Sequence, residues 1–188
     1  MAQTRILFHT GFDVIPAPDI RRGRTNADFG QGFYLSPQED FARRWARSSS
    51  GKTTWLNRYE LSGAGLKIKR FHRDQEWFNY IFRNRSGFSD DFSEYDLIIG
   101  PIANDTIFNT NGVLSSGLLR PDLALKALQL GPAYEQIVLK TEKAVQALRF
   151  LDAIKLSEDE LRLYRSRVHH EEQTFLVKLS RLVSEQED

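Results

Sequence analysis

The apolar residues of this chain fall in short, scattered runs, and that spacing limits the fold more than any other feature. Ile6-Leu7-Phe8, Phe33-Tyr34-Leu35, Leu97-Ile98-Ile99 and Ile137-Val138-Leu139 are each bounded by turn-forming or polar residues. Runs of this length read as buried or half-buried strands. The expected strands are Arg5–Phe8, Phe33–Leu35, a pair formed by Trp55–Leu61 and Leu66–Phe71, Tyr95–Gly100 and Gln136–Leu139. Helical patterns lie between them. Ser36-Pro37 with Glu39 reads as a capping box opening a helix with Phe41, Ala42 and Trp45 inward. Asp74–Asn84 is amphipathic through Trp77, Phe78, Ile81 and Phe82. Pro121–Leu130 and a stretch from Thr141 to about Leu151 follow. Ser157 and Glu160 form a second capping box, starting a helix that reaches residue 184. Strand and helix do not alternate regularly, which argues for an α+β fold over a doubly wound sheet.

The chain has 188 residues, consistent with one domain (1–153) and a C-terminal helical extension (154–188) that packs on it or binds a partner. It contains 13 Phe, 6 Tyr and 3 Trp, enough bulk for a core. No apolar run approaches a membrane span, and the N-terminus lacks a signal-peptide pattern, so a cytoplasmic location is expected. With no cysteine there is neither a disulfide nor a thiolate nucleophile. The four histidines lack metal-site spacing, so no metal is expected. Net charge is +1, which gives no global nucleic-acid signature. Basic residues nevertheless dominate the N-terminal third, where Arg21, Arg22 and Arg24 occupy a long Pro/Gly-rich connection over 13–32. Loops of that length are often functional.

Several residues have both a structural and a chemical reading. His9 ends a strand just before Thr10 and Gly11. A lone histidine there is more often structural, yet a neutral imidazole also hydrogen-bonds hydroxyls. Gly30 and Gly32 bracket Gln31, which is no dinucleotide fingerprint by itself. Tyr34 is either a core aromatic or a ring on which a heterocycle stacks. Gln136 either begins a strand or projects into a cleft. Asn104 and Asp105 are natural turn formers.

The order FHTG, DFGQGFYLS leading into a helix, YDLIIGPIAND and EQIVLKT resembles a bacterial family of uncharacterised proteins assigned to the ADP-ribosyltransferase superfamily. The resemblance spans roughly residues 5–150. It implies two small antiparallel sheets around an NAD cleft, with NAD as substrate and no metal. It also implies a macromolecular acceptor, protein or nucleic acid, and a toxin role with an antitoxin partner. His9, Tyr34 and Gln136 take the three marker positions of the histidine-tyrosine-glutamate branch, with glutamine where that branch carries glutamate. Thr10 and Gly11 would offer backbone groups to the nicotinamide amide. Arg24, Phe29, Gly30, Gly32, Asn104 and Asp105 are the remaining expected NAD contacts. Because glutamine supplies no charge, a catalytically weak or inactive binding module is the alternative. A nucleic-acid binder using the basic N-terminal part is a more distant one.

Overall fold

The computed structural model describes residues 4–103 and 121–184. Strand β1 (Thr4–Gly11) pairs antiparallel with β3 (Trp55–Ser62), which pairs antiparallel with β7 (Leu148–Lys155). The second sheet runs β2 (Phe33–Leu35), β6 (Glu135–Leu139), β5 (Leu97–Pro101), β4 (Ile68–Arg70). Helices α1 (Glu39–Arg43), α2 (Gln75–Arg85), α3 (Pro121–Gln129), α4 (Glu142–Gln146) and α5 (Glu158–Ser184) complete the described α+β fold.

Two apolar layers hold it together. Leu7, Tyr59 and Leu61 of the first sheet meet Phe33, Leu35, Leu97, Ile99, Ile137 and Leu139 of the second. On the far face of the second sheet, Ile98 and Val138 pack under α2 and α3 with Phe29 and Phe71. Burying each such large side chain contributes about 1.5–3 kcal/mol before entropy is counted. The Asp74 carboxylate caps α2 by accepting the Trp77 N–H at 3.0 Å. Tyr80 and Asn84 of that helix turn inward, whereas Phe82, expected in the core, is exposed.

Three other expectations are corrected. Leu66–Phe71 does not form a hairpin with Trp55–Leu61. Its strand β4 instead joins β5 in parallel, so the second sheet is mixed. Asp96 explains the crossing, because its carboxylate accepts the Lys67 N–H at 2.8 Å, the Thr141 hydroxyl at 2.7 Å and Lys143 Nζ at 2.9 Å. Those donors, the Lys67 N–H foremost, hold its carboxyl down at about 2. Ser36 does not cap α1. Its backbone is taken by a bridge to Phe8, and the N-cap residue is Gln38, without a side-chain bond. Finally, the helix after Thr141 stops at Gln146, and residues expected to continue it form β7.

Helix α5 opens on the expected capping box. Ser157 N donates to Glu160 Oε2 at 2.8 Å, and Glu160 N to Ser157 Oγ at 3.3 Å. Of its 27 residues only Leu161 and Phe175 are buried. It is tied to α1 and to the C-cap residue Arg44 by ion pairs Arg43–Glu160, Arg44–Glu171 and Arg167–Asp40.

Candidate functional site

Among the described residues the two sheets join through one backbone bridge, where Phe8 and Ser36 exchange both hydrogen bonds at 2.9 Å. This junction decides which backbone groups of β1 remain available. Phe8 turns its N–H and C=O away from β3, so by strand alternation Thr10 does the same, while His9 and Gly11 turn theirs toward Asn57 and Trp55. Past the Phe8–Ser36 bridge, β2 has ended at Leu35. Among the described residues the Thr10 N–H and C=O meet no backbone partner. The Thr10 hydroxyl is committed, donating to Ala42 O at 2.6 Å. Thr10 therefore presents one donor and one acceptor side by side. Gly11 was expected to share that role but directs its peptide groups into the sheet.

His9 is held from both sides. Its Nδ1 lies 2.8 Å from Tyr34 O, and its ring sits 4.6 Å from that of Phe33. A carbonyl only accepts, so the proton is assigned to Nδ1 and Nε2 carries a lone pair. Burial lowers the pKa below the usual histidine value, so the ring is neutral at pH 7. Nε2 makes no hydrogen bond among the described residues. A Cβ at Gly11 would stand 3.4 Å from it, so glycine there leaves room over that nitrogen.

Tyr34 meets His9 through its carbonyl, not its ring. By the β2–β6 register its side chain lies on the face of Val138 and Gln136. Its hydroxyl donates to Gly30 O at 2.7 Å and accepts from Phe29 N at 3.0 Å. Burial, reinforced by the Asp28 charge, keeps the phenol protonated. Ring carbons are what it has left for a ligand.

Gln136 is 7% exposed and stands opposite Gly100. Its Nε2 is buried with no hydrogen-bond partner among the described residues. A buried amide left this way costs about 1–3 kcal/mol, which marks Gln136 as unusual in this core. Glu135 beside it pairs with Arg5 and Arg70. No hydrogen bond or ring contact joins His9 to Gln136.

The connection over 13–32 is far more ordered than a loop of that length suggests. Asn57, fully buried, donates to Asp13 O at 3.0 Å and accepts from Ile15 N at 2.9 Å. The Tyr59 hydroxyl donates to Ile15 O at 2.8 Å. A short 3-10 turn, Ile20–Arg22, is capped by Asp19. Gln31 Nε2 reaches back to the carbonyls of Arg21 at 2.7 Å and Gly23 at 3.0 Å. Arg21 is paired with Asp19, while the exposed Arg24 guanidinium makes no ion pair or hydrogen bond among the described residues.

Three consecutive carbonyls in this loop are captured by side chains of α2, of β2 and of the residue that follows β6. Asn84 Nδ2 donates to Asp28 O at 3.1 Å, Lys140 Nζ to Phe29 O at 2.6 Å and Tyr34 Oη to Gly30 O at 2.7 Å. Lys140, its side chain 5% exposed, also pairs with Asp90 at 2.7 Å.

This geometry corrects the reading of three expected contacts. The Phe29 ring is fully buried against Phe71 and Tyr80 and offers a ligand no surface. Gly30 has φ +69°, and a Cβ there would crowd Asp90, Lys140 and Asn84. A Cβ at Gly32 would lie 2.6 Å from both Leu139 O and Val138 Cγ1. Both glycines are thus demanded by packing. Asn104 and Asp105 lie outside the described residues. Sequence reading missed Asn57, Asn84 and Lys140. Their only signal was a polar residue inside or just after an apolar run.

Among the described residues no group of His, Asp and Glu could hold a metal ion. No described helix is long and apolar enough to cross a membrane. Residues 5–150 match the model of a family described as "Protein of unknown function (DUF3990)". No curated protein matches the chain. Among solved structures it is similar to a chain of the M. tuberculosis MbcT-MbcA toxin-antitoxin complex, at 17% identity, over 88% of this chain and 89% of that one, with a TM-score of 0.41. A similarity that loose carries no argument.

Proposed function

The chain belongs to the DUF3990 family, and we propose that it is an NAD-dependent ADP-ribosyltransferase acting on a macromolecular acceptor. The observation that carries this reading is the end of β1, where the unclaimed N–H and C=O of Thr10 stand next to a neutral His9 with a free Nε2 lone pair. A carboxamide needs one acceptor and one donor from its binder, which Thr10 supplies. A ribose hydroxyl needs an acceptor for its proton, which His9 Nε2 supplies. Bound NAD would supply a ribose carbon that becomes electrophilic as nicotinamide leaves. The ring carbons of Tyr34 would face the heterocycle. Gln136 would bind a hydroxyl through its amide without adding negative charge. Arg24 is the arginine we assign to the pyrophosphate, on the sequence resemblance; Arg21 is paired with Asp19. Asn104 and Asp105 stay in the proposal on the sequence resemblance alone.

The experiment is incubation of the full chain with NAD labelled on adenylate, alone and with cell lysate, read as nicotinamide release and labelled acceptor. Activity in wild type and its loss in His9→Ala supports the transferase. No release and no NAD binding in either overturns it.

Gln136 supports a second reading, a module that binds NAD without turnover, because the position has no carboxylate. Calorimetric NAD binding without nicotinamide release, together with activity gained in Gln136→Glu, distinguishes it. We also propose a toxin role with an antitoxin partner. Growth arrest on expression, absent in His9→Ala, is the expected outcome.

A further inference from the structure

We infer that the C-terminal helix α5 is a working part of the candidate site, and that Arg44 is the positioning residue through which it acts. Helix α5 lies beyond the family match, which ends at residue 150. It buries Leu161, which packs with Phe8, Ala42 and Leu56, and Phe175, and it also carries charges that pair with the α1 segment. Two of those charges enter α1. Arg43, its side chain 14% exposed, sits between Glu39 at 2.8 Å and Glu160 of α5 at 2.8 Å. Arg44, 9% exposed, sits between Asp40 at 3.1 Å and Glu171 of α5.

Helix α1 has five residues and cannot hold its shape alone. It nevertheless touches both sides of the candidate site. Ala42 O receives the Thr10 hydroxyl at 2.6 Å, just after His9. On the other side the Arg44 guanidinium lies 4.7 Å over the ring of Tyr134, which stacks on Phe41 at 4.5 Å. Gln38, the N-cap of α1, accepts the Glu135 N–H at 3.0 Å. Tyr134 O in turn accepts the Ile102 N–H at 2.9 Å. Tyr134 and Glu135 lead directly into Gln136. One short helix thus grips the entry to the Gln136 strand and the end of the His9 strand, and α5 supplies half of the carboxylates that hold that helix. Loss of Glu171 would leave Arg44 with Asp40 alone, which is already shared with Arg167. A guanidinium that buried shifts when one of its counter-charges is removed.

The test is backbone amide hydrogen exchange on the full chain, which needs no NAD. Glu171→Ala should speed exchange of the Glu135 and Ile102 amides about tenfold, with β3 amides unchanged. Arg44→Lys keeps the charge but loses the planar fork, and should give a smaller increase at the same two amides. Arg162→Gln serves as the control, because among the described residues Arg162 pairs only with Asp159 of α5. It should change neither amide. Exchange that rises only within α5, or equally over the whole chain, overturns the inference. NAD titration of the same proteins rests on the proposed function, where Glu171→Ala should weaken binding about tenfold. If wild type binds no NAD, the proposed function falls while the exchange result still decides the role of α5.

Discussion

Two backbone segments near the candidate site are opposites. In the turn at Asp28-Phe29-Gly30 every carbonyl is claimed, by Asn84, Lys140 and Tyr34 in turn. At the end of β1 the peptide groups of Thr10 meet no backbone partner among the described residues, although neighbouring residues are fully paired into the sheet. Both segments are flanked by glycine and aromatic residues, and in sequence they look equally suited to a ligand. Saturation separates them. A turn whose polar groups are consumed internally is architecture, while an ordered edge with unclaimed groups has binding capacity to spend.

That contrast can be broken at several points, the largest effect first. Lys140→Met should destabilise the chain by about 3 kcal/mol, because Asp90 and Phe29 O lose their buried partner. Urea denaturation of the variant checks this, and a loss under about 1 kcal/mol would mean the turn is not held as described. Gly32→Ala should cost about 2 kcal/mol by overpacking against Leu139 O and Val138, visible as a lowered melting temperature. At the other segment the fold should tolerate changes that ligand binding does not. Thr10→Pro removes the peptide N–H on the outward side of an edge strand, where proline is accommodated. It should weaken NAD binding about tenfold, whereas Thr10→Val, which exchanges the hydroxyl for a methyl but keeps the peptide N–H, should weaken it far less. Equal losses in the two variants would shift the role from the backbone of Thr10 to its side chain.

The smallest effect concerns pH. His9 has a folded pKa lowered by burial, so the unfolded chain takes up this proton first as pH falls. Its contribution to stability is complete above the unfolded value, about 6.5, and is lost as pH drops from there toward the folded value. His9→Gln should flatten the dependence of stability on pH in that window. An unchanged slope would mean that His9 is not buried neutral.

What could be read from the sequence was whatever depends on near neighbours. The capping pair Ser157/Glu160, the helix expected over Asp74–Asn84 and the runs at Phe33–Leu35 and Leu97–Ile99 report local physics, and they sit within a residue or two of where they were expected. Ser36 shows the limit. It has the capping-box spacing, but a bridge to Phe8, nearly thirty residues earlier in the chain, claims its backbone. Strand β7 was hidden because Leu148–Lys155 is only half-buried and takes its pairing from β3, about ninety residues away. Phe29 and Lys140 were misread or missed because their partners come from α2, β4–β5 and the 86–95 segment. His9 against Tyr34 could be anticipated as a pair, but the contact is through a carbonyl, and no pattern of side chains announces that.

The position of β6 in its sheet has a consequence for how the chain matures. β6 is an inner strand, bonded to β2 on one side and β5 on the other, yet it is made about a hundred residues after β2. Pairings so distant in sequence close slowly, because a long loop must be ordered before any contact rewards it. A nascent chain that has exposed only the segments through β5 has its histidine strand but neither Gln136 nor the lysine that latches the Phe29 turn. The proposed site is therefore complete only after most of the polypeptide has left the ribosome.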